Sequence, residues 1–275
     1  MTDNKIFTKA EIIKQLKDLK VPQDRPVIVH TSLKSVGLTE NGGQGLLDAL
    51  VEYVTAKGGL LVVPTHTFVN FYRYKKEIAL DFNDFKPCIG AFPQIAVDDG
   101  RGVTALNPTH SVTVFGGKER VSEFVDCEKD VDTPTSPKGS YGKIFDLDGY
   151  SLLIGVGQDK NTILHCVEEM LSVPNRLSKE KASVGIKFRD GTIFKKDSYY
   201  MRSEGIYDPS EYFTKYEPAF RYYGAIEDGF IGNAKTQLCS AKIMKNVMEL
   251  IRKNSGGIEL LSDDKPLDIA WYKNK

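Results

Sequence analysis

The sequence predicts an α/β fold built on a central, mostly parallel sheet, and three observations carry that prediction. Short, continuous aliphatic runs occur at Pro26–His30 (PVIVH), Leu60–Pro64 (LLVVP) and the start of Tyr150–Gly157 (YSLLIGVG). They lack the apolar–polar alternation of a half-exposed strand and so read as strands buried on both faces. A helical pattern over Leu46–Ala56 separates the first two, which makes a βαβ unit. The 275 residues are 41% hydrophobic and 10% aromatic, enough apolar material for one large domain or two small ones.

In chain order, the first element is a helix. Thr8 and Glu11 have capping-box spacing, Ile12, Leu16 and Leu19 recur at i, i+4 and i+7, and Pro22 ends it. The strand Pro26–His30 runs into TSLKSVG, and the NGGQG turn leads to the helix and strand of the βαβ unit. Asn70 to Asp99 mixes aromatic, Lys and Asp residues without a clean period; it reads as a long excursion with one short helix at AFPQIAVDD, of the kind that carries sites. Ser111–Phe115 is strand-like, Lys118–Asp126 helical, and TPTSPKGSYG rich in turn residues. The strand Tyr150–Gly157 closes on two glycines, and a helix follows from Thr162 to Leu171 with Asn161 or Thr162 at its start. Beyond Pro174, ASVGIKFRDGTIFKKD alternates like a hairpin around Asp190-Gly191. Tyr199–Tyr223 is rich in tyrosine, and NAKTQLCSAKIMKNVMELIRKN reads as one long amphipathic helix.

Charge and cysteine usage exclude several classes. Lys and Arg number 37 against 37 Asp and Glu, a formal charge of zero at pH 7. A protein bound to nucleic acid by counterion release should show a basic excess, and a membrane-surface binder a basic amphipathic helix; neither is present. No stretch approaches the ~20 apolar residues of a membrane span, and the start lacks the order of a signal peptide. A cytoplasmic location, with no nucleic acid and no membrane as partner, is the expectation. Cys88, Cys127, Cys166 and Cys239 are far apart with no CxxC pair, so they are expected to be reduced and mostly structural.

Candidate chemistry centres on the four histidines. His30, His66, His110 and His165 are all read at the C-terminal side of a strand or in the helix after one. Ligands of open α/β sheets bind there, so the four can converge; each can equally be a buried imidazole that satisfies nearby backbone. His165 has Glu168 and Glu169 at i+3 and i+4, the spacing of a general base with an orienting carboxylate; the alternative is a solvated helix face. Cys166 points about 100° away from His165 around the helix, which argues against a Cys–His pair. GVGQDKNT has Lys160 in place of the third glycine of GxGxxG, and no GxxxxGK[ST] occurs. HExxH is also absent, zinc ligands would have to come from distant loops, and no metal is expected. TSLKSVG suits a loop whose backbone N–H groups and Lys34 meet phosphate, although Ser32 and Ser35 can equally be cap and turn residues.

Five blocks stand in a familiar order: VIVHTSLKSVG, LLVVPTHTF, NPTHSVTVFG, TSPKGSYGKIFDLDG and LLIGVG…NTILHCVEE. From about Pro26 to Glu169, and weakly again at GFIGNAKTQL, the chain resembles the aminoglycoside 3-N-acetyltransferase family. The resemblance implies a three-layer α/β/α sandwich, distinct from the GNAT type, and the tyrosine-rich stretch reads as an aromatic-rich insert in its C-terminal third. The resemblance also implies one acetyltransferase domain over residues 1–275, with a coenzyme A-binding and catalytic core at 1–172, an acceptor-side insert at 173–230 and a C-terminal helix and tail at 231–275. Acetyl-coenzyme A would be the co-substrate, a small-molecule amino sugar the acceptor, and a homodimer an open expectation. Carried over by the blocks, Ser32, Leu33, Lys34 and Ser35 would contact pantetheine and phosphate. Thr65 and Thr67 would line the same groove, and Ser111 and Val112 would sit beside the thioester. His165 and Glu168 would be catalytic base and orienting acid, with His110 and Asn107 in support.

The chemistry agrees with that assignment. An amine must lose a proton to attack a thioester, and a histidine of ordinary pKa, roughly 6.5, can take it near neutrality. Oriented N–H donors to the oxyanion are commonly worth ~3–4 kcal/mol each. Departures from the family concentrate at Arg176–Gly229 and at Cys166 and Val167, which leaves the acceptor open between an aminoglycoside and a nucleotide-linked or cell-surface amino-sugar precursor. A polycation would want acids such as Glu123, Asp126, Glu128, Asp130 and Asp132, or Asp98 and Asp99; a tyrosine-rich pocket would suit stacking on a sugar. Two other classes remain: a non-catalytic coenzyme or nucleotide binder, and a metal-dependent hydrolase.

Overall fold

In the computed structural model, residues 5–202, 209–259 and 265–273 are described. Residues 203–208, part of the expected tyrosine-rich insert, and residues 260–264, 274 and 275 of the tail lie outside them. Strand β1 (Ile6–Phe7) precedes helix α1 (Lys9–Asp18). The capping box forms as its spacing requires: the Glu11 backbone N–H donates to Thr8 Oγ1 at 3.2 Å, and the Thr8 N–H donates to the Glu11 carboxylate at 2.9 Å. Next come β2 (Pro26–Thr31), a single-turn helix α2 (Leu33–Val36), β3 (Leu38–Thr39), α3 (Gly42–Thr55) and β4 (Leu60–Pro64). The excursion holds α4 (Phe68–Tyr72), β5 (Ile78–Asp81) and α5 (Ala91–Asp98), more than the one expected helix, and β6 (Val103–Thr104) follows. Then come β7 (Val112–Phe115), α6 (Lys118–Asp126), α7 (Ser140–Asp146), β8 (Tyr150–Ile154) and α8 (Ile163–Met170). The hairpin β9 (Leu177–Lys187) and β10 (Ile193–Arg202), α9 (Glu217–Tyr222), β11 (Ile226–Ile231), β12 (Ala234–Ser240) and α10 (Ala241–Ser255) complete the chain. Among the described residues, no helix is long and apolar enough to cross a membrane.

The continuous apolar strands are explained by burial on both faces of one sheet. Val27, Val29, Leu61, Val63, Leu152 and Ile154 join one core with residues of α1, α3 and α5. Their neighbours Ile28, Leu60, Val62 and Leu153 join a second core with residues of α6, α7, α8 and α10. Each such aliphatic side chain, almost fully withdrawn from water, contributes about 1.5–3 kcal/mol, so a strand with two buried faces needs apolar residues at every position.

The seven-stranded sheet has the order β11-β12-β8-β2-β4-β7-β6. Only its centre is parallel: β2 pairs in parallel with β8 and with β4, and every flanking pair is antiparallel. The sheet is therefore mixed, which corrects the expectation of a mostly parallel one. Parallel neighbours need a helical crossover, such as α3 between β2 and β4, whereas β11 and β12 turn directly into one another as a hairpin. The second correction concerns the C-terminus, where the expected long helix is a strand followed by a helix. Ala234, Thr236 and Leu238 of β12 are buried, Lys235 is exposed and Gln237 half-buried, a period of two. Ser240 then caps α10, its side chain accepting from the Ile243 N–H. A second sheet, β10-β9-β5, ties the hairpin to the excursion.

Candidate active site

A cavity of about 600 Å³ opens at the C-terminal edge of β2, β4 and β8, and all four histidines line it. His110 arrives there by a route different from the one expected, because it precedes its strand. Since β7 runs antiparallel to β4, with Val112 opposite Pro64, the start of β7 lies beside the end of β4. Phe68, Tyr72 and Phe92 supply aromatic lining.

On the α8 side, His165 and Glu168 lie one turn apart, and His165 Nδ1 is 2.9 Å from Glu168 Oε2. The other carboxylate oxygen, Oε1, accepts from Arg176 Nε at 2.7 Å. A carboxylate paired with a guanidinium is an acceptor, so a neutral His165 bonded to it donates its Nδ1–H and carries the lone pair on Nε2. Phe213 packs its ring 4.8 Å from the imidazole, tilted by 55°. Thr162 stands at the helix N-cap without a side-chain cap bond. The adjacent Glu169 serves another purpose: it accepts from Thr133 Oγ1 at 2.5 Å and Thr135 Oγ1 at 2.6 Å, holding the TPTSP loop. Geometry thus selects Glu168 over Glu169 as the partner of His165. Cys166 is fully buried, and burial pushes its thiol well up from the ordinary range, so it is core and not nucleophile.

Across β4 and β7, His66 Nε2 lies 2.7 Å from the Tyr141 hydroxyl, and His110 Nδ1 lies 2.9 Å from Thr109 Oγ1. The two imidazoles are 4.7 Å apart, and Phe68 stacks on His110 at 5.5 Å. Asn107 is buried behind this wall and does not line the cavity. Its Oδ1 accepts from the His110 N–H, the Thr109 N–H and the Tyr199 hydroxyl at 2.9, 3.2 and 2.9 Å. Its Nδ2 donates to Glu128 Oε2 at 3.0 Å and to the Pro134 carbonyl at 3.1 Å. Asn107 therefore shapes the backbone that carries His110.

His30, on β2, is more than nine-tenths buried, and burial pulls its pKa down to about 3. Its Nε2 has no hydrogen-bond partner among the described residues.

The other sequence-predicted residues are distributed unevenly. Ser32 caps α2, accepting from the Ser35 N–H at 3.3 Å, and the Ser35 hydroxyl donates to Ser32 Oγ at 2.9 Å. Gly155, with φ +67°, lets β8 close on this turn, where an added Cβ would stand 2.4 Å from that of Ser35. Lys34 is exposed, and Leu33 packs against the α3-side core. Thr65, Thr67, Ser111 and Val112 are buried and none lines the cavity. Thr67 Oγ1 donates to the Pro108 carbonyl at 2.9 Å and Ser111 Oγ to that of Ala105 at 2.6 Å, so their hydroxyls are occupied inside the wall. The expected acidic clusters do not line the cavity either. Glu128 is buried, accepting from Asn107 and from the Ser140 N–H, and its pKa is raised by burial; Asp126 is paired with Lys129, and Asp99 with Arg101.

Arg176, Tyr141, Tyr199 and Phe213 escaped sequence reasoning. A single Arg or Tyr in a turn-rich or aromatic segment carries no periodic signal; the partners of Tyr141, Tyr199 and Phe213 are remote in the chain, and that of Arg176 lies across the turn after α8. Among the described residues, no group of three His, Cys, Asp or Glu side chains is placed to hold a metal ion.

The fold and the cavity define an α/β protein with a histidine–carboxylate pair at the sheet's edge. Comparison with known proteins then identifies it: over residues 28–251 the chain matches the aminoglycoside 3-N-acetyltransferase family, and it belongs to that family. Aminoglycoside N(3)-acetyltransferase IV from Salmonella sp is 32% identical over 171 residues. That match spans 61% of this chain and 61% of the relative's length. Among solved structures, a mutant of aminoglycoside acetyltransferase AAC(3)-IVa in complex with apramycin shares the fold with a TM-score of 0.73 at 22% identity, covering 92% of this chain and 95% of that one. The AAC-IIIb binary with CoASH does so with a TM-score of 0.74 at 17% identity, covering 90% and 97%.

Proposed function

We propose that the chain is an acetyl-coenzyme A-dependent N-acetyltransferase acting on an amino group of an amino sugar, with an aminoglycoside as the first acceptor class. The observation that carries the proposal is the buried His165–Glu168 pair on the cavity wall. Nε2 of His165 takes the proton from the acceptor amine as its nitrogen attacks, and Glu168 stabilises the imidazolium that forms. Acetyl-coenzyme A, as co-substrate, supplies the acyl group as a thioester. The new N–C bond replaces the C–S bond, and the thiolate leaves as the free thiol once it regains a proton. Family membership and the CoASH complex of AAC-IIIb support the co-substrate, and the apramycin complex of AAC(3)-IVa supports the acceptor class.

For the coenzyme we assign Ser32, Leu33, Lys34 and Ser35, at the end of β2 beside the cavity-lining Thr31. Thr65, Thr67, Ser111 and Val112 become the supporting wall, and His110 a wall residue positioned by Asn107. The division of labour follows the blocks: residues 1–172 for coenzyme and chemistry, 173–230 for the acceptor side, 231–275 as helix and tail within one domain. Arg176 and Ser210, both on the cavity, support the acceptor-side placement. His165→Ala tests the reading: acetyl-dependent thiol release with an aminoglycoside panel should vanish while coenzyme A binding, followed by calorimetry, persists. Near-normal turnover would reject it.

A second acceptor, an amino sugar joined to a nucleotide or destined for the cell surface, draws on the lining charges. Among the described residues these are Asp159, Lys160 and Arg176, beside Phe68, Tyr72 and Phe92, with no acidic excess to attract a polycation. A higher kcat/KM for a nucleotide-linked amino sugar than for apramycin would select it. Tight coenzyme binding with no thiol release from any amine would instead select a non-catalytic binder.

A further inference from the structure

Glu168 divides its two oxygens between an imidazole and a guanidinium, at 2.9 and 2.7 Å. The carboxylate side chain is 1% exposed and that of Arg176 10%, so neither charge is screened by water to any large degree. A lone buried carboxylate beside His165 would draw a proton onto the imidazole and hold it there, which spoils a base that must be neutral before it acts. A guanidinium on the far oxygen offsets that pull while leaving the carboxylate free to fix the Nδ1–H tautomer. Chain geometry puts Arg176 in place. After α8 and Pro174, Asn175 adopts φ +62°, a left-handed conformation that Asn tolerates, and both Asn175 and Arg176 then face the cavity.

We propose that Arg176 is a positioning residue for the proton transfer, clamping Glu168 and thereby setting the basicity of His165. This rests on the reading of His165 as the base. The other titratable and charged groups around the pair come from five elements. Tyr216, in the 3-10 segment Pro209–Tyr216, is kept neutral by burial and lies within electrostatic reach of Glu168 and Arg176. His30 comes from β2, and Asp159 and Lys160, paired with each other at 2.8 Å, come from the turn before α8. His66 and His110 come from the ends of β4 and β7. Among the described residues, Arg176 is a cation in direct contact with Glu168. The first residues of the acceptor-side segment thus complete the catalytic arrangement of α8, which links the hairpin to the chemistry.

The test is a ¹H NMR titration of the four histidine rings in the full-length protein without substrate, with His165→Ala identifying the His165 signal. In R176Q the His165 midpoint should move up by about one pH unit. In R176K, which keeps the charge, it should stay near the wild-type value. With acetyl-coenzyme A and apramycin as probes, the acid limb of kcat/KM should follow the midpoint, lowering the rate on that side about tenfold in R176Q. A folded R176Q whose His165 midpoint does not move overturns the proposal. Should R176Q fail to fold, R176K decides: a lowered kcat with the midpoint in place supports the clamp, and unchanged kcat and pH profile overturn it. Retained turnover in His165→Ala sinks the base reading on its own, independently of where the Arg176 variants titrate.

Discussion

The two sides of the cavity use the same side chain in different electrical settings. On α8, His165 is bonded to a buried carboxylate that is itself bonded to Arg176. Beside β4 and β7, His66 and His110 are bonded to the hydroxyls of Tyr141 and Thr109. A carboxylate partner stabilises the protonated imidazole, and a hydroxyl does so far more weakly. Convergence of histidines on one cavity therefore does not make them equivalent; under the proposed function, the carboxylate on Nδ1 is what marks His165 as the proton acceptor.

The sharpest way to break this contrast is to remove one histidine from each side. His165→Ala should lower acetyl transfer by roughly 10²–10⁴-fold, and His66→Ala by much less, as read by thiol release at saturating acetyl-coenzyme A. Equal losses would erase the distinction. Next in size is the comparison between neighbouring carboxylates. Glu168→Gln leaves Arg176 as an uncompensated buried charge and should cost about 3–5 kcal/mol in urea unfolding, together with most of the activity. Glu169→Gln loses only part of its bonding to Thr133 and Thr135, so it should cost ~1 kcal/mol and leave turnover nearly intact.

Between these lies a pH effect at His30. Its folded pKa of about 3 is below the ordinary value of roughly 6.5 expected in the unfolded chain. Folding therefore favours the neutral ring. That contribution is complete above the unfolded pKa and drains away as pH falls toward the folded one, at about 1.4 kcal/mol per unit. Urea unfolding at pH 7 and pH 5 should show about 2 kcal/mol of loss attributable to this residue, and His30→Asn should flatten that slope. An identical slope in the variant would assign the acid sensitivity elsewhere.

Much of this architecture was legible from local pattern. The α1 capping box, the β2–α3–β4 unit and the helix Lys118–Asp126 follow from short-range spacing that needs no partner elsewhere in the chain. The His165–Glu168 pair was legible too, because i and i+3 on a helix are neighbours by geometry alone. The choice between Glu168 and Glu169 was not, since it depends on Thr133, Thr135 and Arg176, which lie outside that helix. The strand Ala234–Ser240 was misread for a similar reason. Its apolar residues are few enough to fit a helical stripe, and pairing with β8 on one side and β11 on the other makes the extended form the better one.

By itself, then, the sequence determined the class of fold, the buried strands and the His165–Glu168 contact written within a single helical turn. Tertiary structure decided the direction of the flanking strands, the route by which His110 reaches the cavity, the role of Asn107 behind it and the presence of Arg176 on Glu168. The physical reason is common to all four. Each depends on contacts between groups that do not share one helix or strand, whose free energy comes from desolvation and hydrogen-bond geometry that exist only once the sheet has assembled.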